Sequence, residues 1–166
     1  MAETFIAYQG TRQEQYEQLL LQVAALTRQE TDLTANMANI AAVLKEQFSW
    51  LWIGFYLVKN DQLIVGPFQG PVACTRISRG RGVCGTCWAE ERAIIVPDVN
   101  QFPGHIACNS RSRSEIVVPV FHRGQVIAVL DADSEQLDTF DATDLRYLTE
   151  VCNLLSPTAA GASGTR

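Results

Sequence analysis

Apolar and polar positions change period several times along the chain. From Arg12 to Gln29 the apolar residues Tyr16, Leu19, Leu20, Val23, Ala24 and Leu26 recur at helical spacing, which predicts a helix with one buried stripe. Thr31 or Asp32 can cap a second helix, whose stripe Leu33, Met37, Ile40, Ala41 and Leu44 ends near Phe48. The texture then turns aromatic and β-branched. Trp50 to Val58 reads as a strand, Lys59-Asn60-Asp61 as a turn and Gln62 to Val65 as the returning strand. Gly66 to Pro71 is punctuated as a loop, and Val72 to Ile77 is expected as a third strand. A glycine-rich stretch, Arg79 to Gly82, leads into a short helix from Val83 to Arg92, and Ala93 to Val96 is a fourth strand. Pro97 to Ser114 has no period. Glu115 to Phe121 and Gln125 to Asp131 then form a hairpin about His122-Arg123-Gly124. Asp141 can cap a last helix reaching Leu155, with Leu145, Leu148, Cys152 and Leu155 on its inner face.

Hairpin-joined strands imply a mainly antiparallel sheet, and helices at both ends of the chain must cover one face of it. The expectation is an α+β domain of two or three layers. With 166 residues the chain suits a single domain, expected over residues 1–156, with a small polar tail at 157–166. A hydrophobic fraction of 47% supports a real core. The net charge of −5 argues against an extended nucleic-acid surface, which needs a basic face. The longest apolar stretch is about ten residues, short of the ~20 that span a bilayer, so no membrane partner is expected. The first residues lack a basic lead into an apolar run, and five cysteines are an odd number for a disulfide framework. Reduced thiols in the cytoplasm are the expectation.

Those thiols carry the candidate chemistry. Cys152, on the inner stripe of the last helix, reads as a small core hydrophobe. Cys108 lies in the aperiodic stretch, three residues after His105 and shortly before Arg111 and Arg113, where a nearby cation would favour its thiolate. Cys84 and Cys87 form a C-x2-C at the start of the short helix, a position that favours a thiolate. They read as a redox dithiol, as two metal ligands or as two unrelated thiols. Cys74 is expected on the third strand and has no motif of its own. A zinc site built from Cys84, Cys87, His105 and Cys108 has plausible ligand order, but its flanks are core-like, unlike a module that needs a metal to fold.

Asp131-Ala132-Asp133 closes the most apolar strand, and its two acids project to one side. Glu115 opens the neighbouring hairpin strand, so all three carboxylates can meet at one end of the sheet, near the segment carrying Cys108. Clustered acids bind a cationic group or hold one another protonated.

These segments together resemble a known family. Trp52-Ile53-Gly54-Phe55-Tyr56, Gly66-Pro67-Phe68-Gln69-Gly70, Gly80 to Thr86, Gly104-His105-Ile106-Ala107-Cys108, Ser114-Glu115-Ile116-Val117 and Leu130 to Ser134 look like the free methionine-(R)-sulfoxide reductases, single GAF-type domains. Cys74, Cys84 and Cys108 keep that family's spacing of ten and twenty-four residues. The resemblance implies a GAF-like domain: a six-stranded sheet with the N- and C-terminal helices on one face and ligand-binding loops on the other. It implies Cys108 as the catalytic thiol, Cys74 as the main resolving thiol and Cys84 as a third redox-active cysteine. Trp52, Tyr56, Glu115, Asp131 and Asp133 would line the substrate cage. Cys87 departs from the family pattern, and neither it nor Cys152 receives a role.

The implied reaction reduces free methionine-(R)-sulfoxide by a thiol, sulfenic acid and disulfide cycle, regenerated by a thioredoxin-type reductant without metal or organic cofactor. The residues suit it independently. Carboxylates can hold the substrate ammonium, Trp52 can add cation–π attraction and pack on the S-methyl end, and a neutral Glu115 or Asp133 can protonate the departing oxygen. The preference for the R epimer comes from the resemblance alone. Two other functions compete: a non-catalytic GAF module that senses a small ligand, which would usually accompany an output domain and would not require three spaced cysteines, and the zinc domain. A homodimer is possible through an apolar face of the first helix.

Overall fold

The computed structural model describes residues 4–155, so the tail expected at 157–166 lies outside the described residues. Its elements are α1 (Arg12–Thr27), α2 (Leu33–Phe48), β1 (Trp52–Lys59), β2 (Gln62–Gln69), β3 (Arg76–Ser78), α3 (Gly82–Glu90), β4 (Ile94–Val96), β5 (Ser114–His122), β6 (Gln125–Ser134) and α4 (Ala142–Leu154). The six strands form one antiparallel sheet in the order β3-β2-β1-β6-β5-β4.

Caps set the helix boundaries. Thr11 and Glu14 close a capping box on α1, and the Asp32 side chain accepts from the Ala35 N–H to start α2. Asp141 and Asp144 form a second capping box on α4. Asp144 also takes hydrogen bonds from Arg12 (2.6 Å) and the Tyr16 hydroxyl (2.7 Å), which tie α1 to α4. α2 and α4 lie on the sheet, whereas α1 packs on those two helices as an outer tier. Its stripe of Tyr16, Leu19 and Val23 is consumed within the chain, leaving Leu21 as a large exposed side chain on that helix.

The sheet has two apolar faces. Ile53 and Phe55 of β1, Ile116, Val118 and Val120 of β5, and Ala128 and Leu130 of β6 meet the helices. The opposite face carries Tyr56, Val117 and Val129 against α3 and the connecting segments. Each fully buried aliphatic or aromatic side chain contributes about 1.5–3 kcal/mol.

Three boundaries differ from the sequence expectation. β1 starts at Trp52, because Trp50 belongs to the helical core, stacked on Phe48 and edge-on to Phe140. β2 continues through Gly66-Pro67-Phe68-Gln69, which reads as a loop. The register slips there, so Gly66 and Pro67 stand against the single residue Phe55. Such a bulge accommodates a proline with no N–H, and a side chain at Gly66 would run into Leu57. Finally, β3 comprises Arg76–Ser78 alone. Val72 is exposed, and Cys74 lies in the connection before the strand rather than on it. The aperiodic stretch after β4 holds one 3-10 turn, Val99–Gln101, started by the Asp98 side chain. Backbone bonds from Val99 to Arg113 and from Arg113 to Ser134 fix it beside the ends of β5 and β6.

Candidate active site

Strand alternation builds the site. Trp52, Gly54 and Tyr56 of β1, Glu115 of β5, and Asp131 and Asp133 of β6 all project from the face turned away from the helical core. Trp52 is paired with Asp133, Gly54 with Asp131 and Glu115 with Asp133, so the tryptophan and the three acids occupy neighbouring rungs of three central strands. Gly54 is required there. A Cβ at that position would fall 2.3 Å from the Phe68 Cβ and 2.8 Å from the Trp52 ring. Its absence lets Phe68 stack on Trp52 with centroids 5.2 Å apart, while Tyr56 stands 5.7 Å away.

These side chains line a pocket of about 530 Å³, counting its open mouth. Ile106, Cys108 and Ser112 of the long connection close one side, and Cys84 at the start of α3 closes another. Cys108 is joined to Cys74 by a disulfide that spans 34 residues of sequence and ties the long connection to the segment before β3. The sequence-predicted cysteines therefore separate into a bonded pair at the wall and a free, buried Cys84 beside the acids.

Burial dominates the electrostatics of the acids. Desolvation and mutual repulsion push Glu115 and Asp131 well above the usual carboxylate range. The two carboxyls share a hydrogen bond within this buried pair. Burial raises Asp133 to about 6, against the pull of the Ser112 hydroxyl, which donates to its Oδ1 at 2.5 Å. Tyr56 is driven upward by burial and by Asp131, so it stays a neutral phenol. Burial lowers His105, whose Nε2 lies 3.7 Å from Glu115.

Cys84 sits at the start of α3, a position that by itself favours a thiolate. Its helix starts as predicted, but burial first, and then the neighbouring Asp131, Glu115 and Asp133, push the thiol upward against the pull of the helix terminus. Its Sγ stands 3.9 Å from Glu115 Oε1. Cys87 is wholly buried in the apolar cluster beneath α3, and burial pushes it up to about 12. Cys152 is a core thiol under α4, as its stripe predicts. Arg111 is engaged with Glu135 at 3.1 Å rather than with Cys108. The four-ligand zinc set is not assembled, because Cys108 is bonded to Cys74 and Cys87 faces the core. A different trio, Cys84, Glu115 and Asp131, brings one ligand atom from each residue within 4.8 Å of the others.

Two buried side-chain atoms among the described residues lack a partner, Trp52 Nε1 and Asp131 Oδ1, and both residues line this pocket. One is a donor and the other an acceptor. Sequence reasoning missed Ser112 and Phe68 as site residues. Ser112 lies in a stretch without period, and Phe68 carries a signal only through its place in a bulged strand beside Gly54.

A profile of the GAF domain family matches residues 27–158. The free methionine-R-sulfoxide reductase of Escherichia coli is 45% identical over 128 residues, covering 76% of this chain and 78% of that protein. The chain belongs to the GAF-domain family of free methionine-R-sulfoxide reductases. GAF domain-containing protein A of Dictyostelium discoideum is 54% identical over 156 residues, 93% of this chain and 99% of that protein. Among solved structures, the free methionine-R-sulfoxide reductase of Neisseria meningitidis in complex with its substrate superposes with a TM-score of 0.90 at 52% identity, covering 92% of each chain. In this GAF domain the pocket lies on the sheet face turned away from α1, α2 and α4, beside α3 and the connecting segments. No helix among the described residues is long and apolar enough to cross a membrane.

Proposed function

We propose that the chain reduces free L-methionine-(R)-sulfoxide to methionine, with Cys108 as the attacking thiol and Cys74 as the resolving thiol. The observation that carries this reading is the Cys74–Cys108 disulfide in the wall of a pocket lined by three acids and Trp52. The relatives named free methionine-R-sulfoxide reductase support the substrate and its epimer.

In the ligand-free pocket the acids share protons. A substrate ammonium beside Asp131 and Asp133 replaces that proton-based compensation with a cation and takes up the unpartnered Asp131 Oδ1. The Trp52 indole packs on the substrate and adds cation–π attraction, and its free N–H can donate to a substrate oxygen. Glu115 is the better placed proton donor of the two acids considered, because burial holds its carboxyl well above the usual range, whereas the Ser112 hydroxyl favours an ionised Asp133. Cys108 sulfur attacks the sulfoxide sulfur. The S–O bond breaks as its oxygen is protonated, methionine leaves, and the oxygen passes to Cys108 as a sulfenic acid. Cys74 then displaces that oxygen as water and forms the disulfide. Two thiols are oxidised for each sulfoxide reduced. A thioredoxin-type dithiol in the cytoplasm returns both by exchange. Cys84, buried beside the acids, is a reserve thiol for the same exchange, and a homodimer is compatible with the exposed flank of α1.

The test is single-turnover methionine release from separate R and S sulfoxides by pre-reduced enzyme, with thiols counted before and after. Methionine from the R epimer alone, with loss of two thiols, is expected. Cys108→Ser should abolish release, whereas Cys74→Ser should still give about one methionine per enzyme. Methionine from neither epimer, with all thiols unchanged, would move the assignment to a ligand-binding GAF module.

A further inference from the structure

The Cys84, Glu115 and Asp131 trio has more donor capacity than the thiol cycle uses. Its three ligand atoms lie within 4.8 Å of one another, and all three residues are buried. Among the described residues, no lysine or arginine forms an ion pair with any of them. Asp131 is 5% exposed, its Oδ1 has no partner, and it lines the same pocket as Cys84 and Glu115. Cys84 Sγ and Glu115 Oε1 stand 3.9 Å apart. A sulfur and an oxygen bound to one tetrahedral zinc ion stand about 3.5 Å apart, from bond lengths of about 2.3 and 2.0 Å. For this pair a closing movement of a few tenths of an ångström reaches that spacing, and separations of up to 4.8 Å within the trio close by a larger one.

The donor types narrow the ion. Magnesium and calcium prefer all-oxygen shells, whereas one thiolate with two carboxylates suits a borderline cation. We propose that the floor of the pocket is an inhibitory zinc site in which Cys84, Glu115 and Asp131 bind the ion and water completes its shell. Of these ligands, Asp131 is assigned above to the substrate ammonium and Glu115 to the proton given to the departing oxygen. Zinc and free methionine sulfoxide therefore exclude each other, a part of the proposal that rests on the functional reading. The Cys74–Cys108 pair takes no part, so the site exists in the disulfide form as well.

That form gives the cleanest test, because its free cysteines are Cys84, Cys87 and Cys152. Cobalt(II) serves as the spectroscopic stand-in for zinc. Titration of the disulfide-form protein is expected to give one equivalent of bound cobalt with a thiolate-to-metal charge-transfer band, displaced by zinc. Cys84→Ser should remove the band and Cys87→Ala should keep it. Glu115→Gln retains the thiol and should weaken binding at least tenfold. Circular dichroism establishes that each variant is folded. No band in the parent protein, or a band that survives Cys84→Ser or is unchanged in affinity by Glu115→Gln, overturns the proposal. Excess free methionine sulfoxide should displace the cobalt. A cobalt site with the expected variant behaviour that resists the sulfoxide would stand as a cation site, and would count against the ammonium-binding reading instead.

Discussion

Asp133 differs from its two acidic neighbours in having a hydroxyl to hold it. Burial alone drives a carboxyl upward, and the Ser112 hydroxyl opposes that, leaving Asp133 to titrate at about 6. If its ionised form attracts the substrate ammonium, kcat/KM should fall as pH drops through about 6, and Ser112→Ala should move that limb to higher pH. A limb that stays in place in the variant would show that another group controls it. The same shift has a stability consequence of opposite sign to the usual one. An acid raised in the folded state holds a proton that the unfolded chain, with its carboxyl near 4, has released. Between those values the ligand-free protein should gain stability as pH falls, a gain that shrinks in Asp133→Asn and is read from urea midpoints at pH 7 and 5. Cys84 shows how far such surroundings override a local rule. Its position at a helix start is plain in the sequence, but the burial that pushes its thiol upward, and the acids that add to it, come from packing against β5 and β6.

At the scale of elements, β1 and β2 carry the most demanding fit. Gly54→Ala should cost about 1–3 kcal/mol by overpacking, because the added methyl meets Phe68 and the Trp52 ring. The same displacement should raise KM for the sulfoxide, and urea denaturation beside steady-state kinetics separates the two effects. An unchanged denaturation midpoint would mean that the strands part freely at the bulge. Much of this architecture was legible beforehand, since it follows from period. The stripes of α1, α2 and α4, the turns at Asn60–Asp61 and Arg123–Gly124, and the shared face of Asp131 and Asp133 are all consequences of local repeat. What escaped depends on contacts between distant segments. Pro67 looks like a strand end until a bulge gives it a place without an N–H, and Val72 to Thr75 look like a strand until the chain crosses towards Cys108. Ser112 carries no pattern, and only its hydrogen bond to Asp133 marks it.

For the molecule as a whole, the disulfide links the long connection to the start of β3 across the pocket wall. Closing a span of 34 residues in the unfolded chain favours the folded state by about 3–4 kcal/mol. Reduction should therefore lower the denaturation midpoint and quicken amide hydrogen exchange in residues 104–112, while β1, β5 and β6 remain protected. Equal exchange in both redox forms would mean that the connection is held by its backbone bonds alone. The strand register also divides the molecule into two poles. Trp52, Glu115 and Asp133 gather at one end of the three central strands, and the turns at Asn60–Asp61 and Arg123–Gly124 lie at the other. Those turns are natural attachment points. A dye, an immobilising tag or a fused carrier placed there would leave the chemical end facing solution, so the protein could be mounted as an oriented sensor.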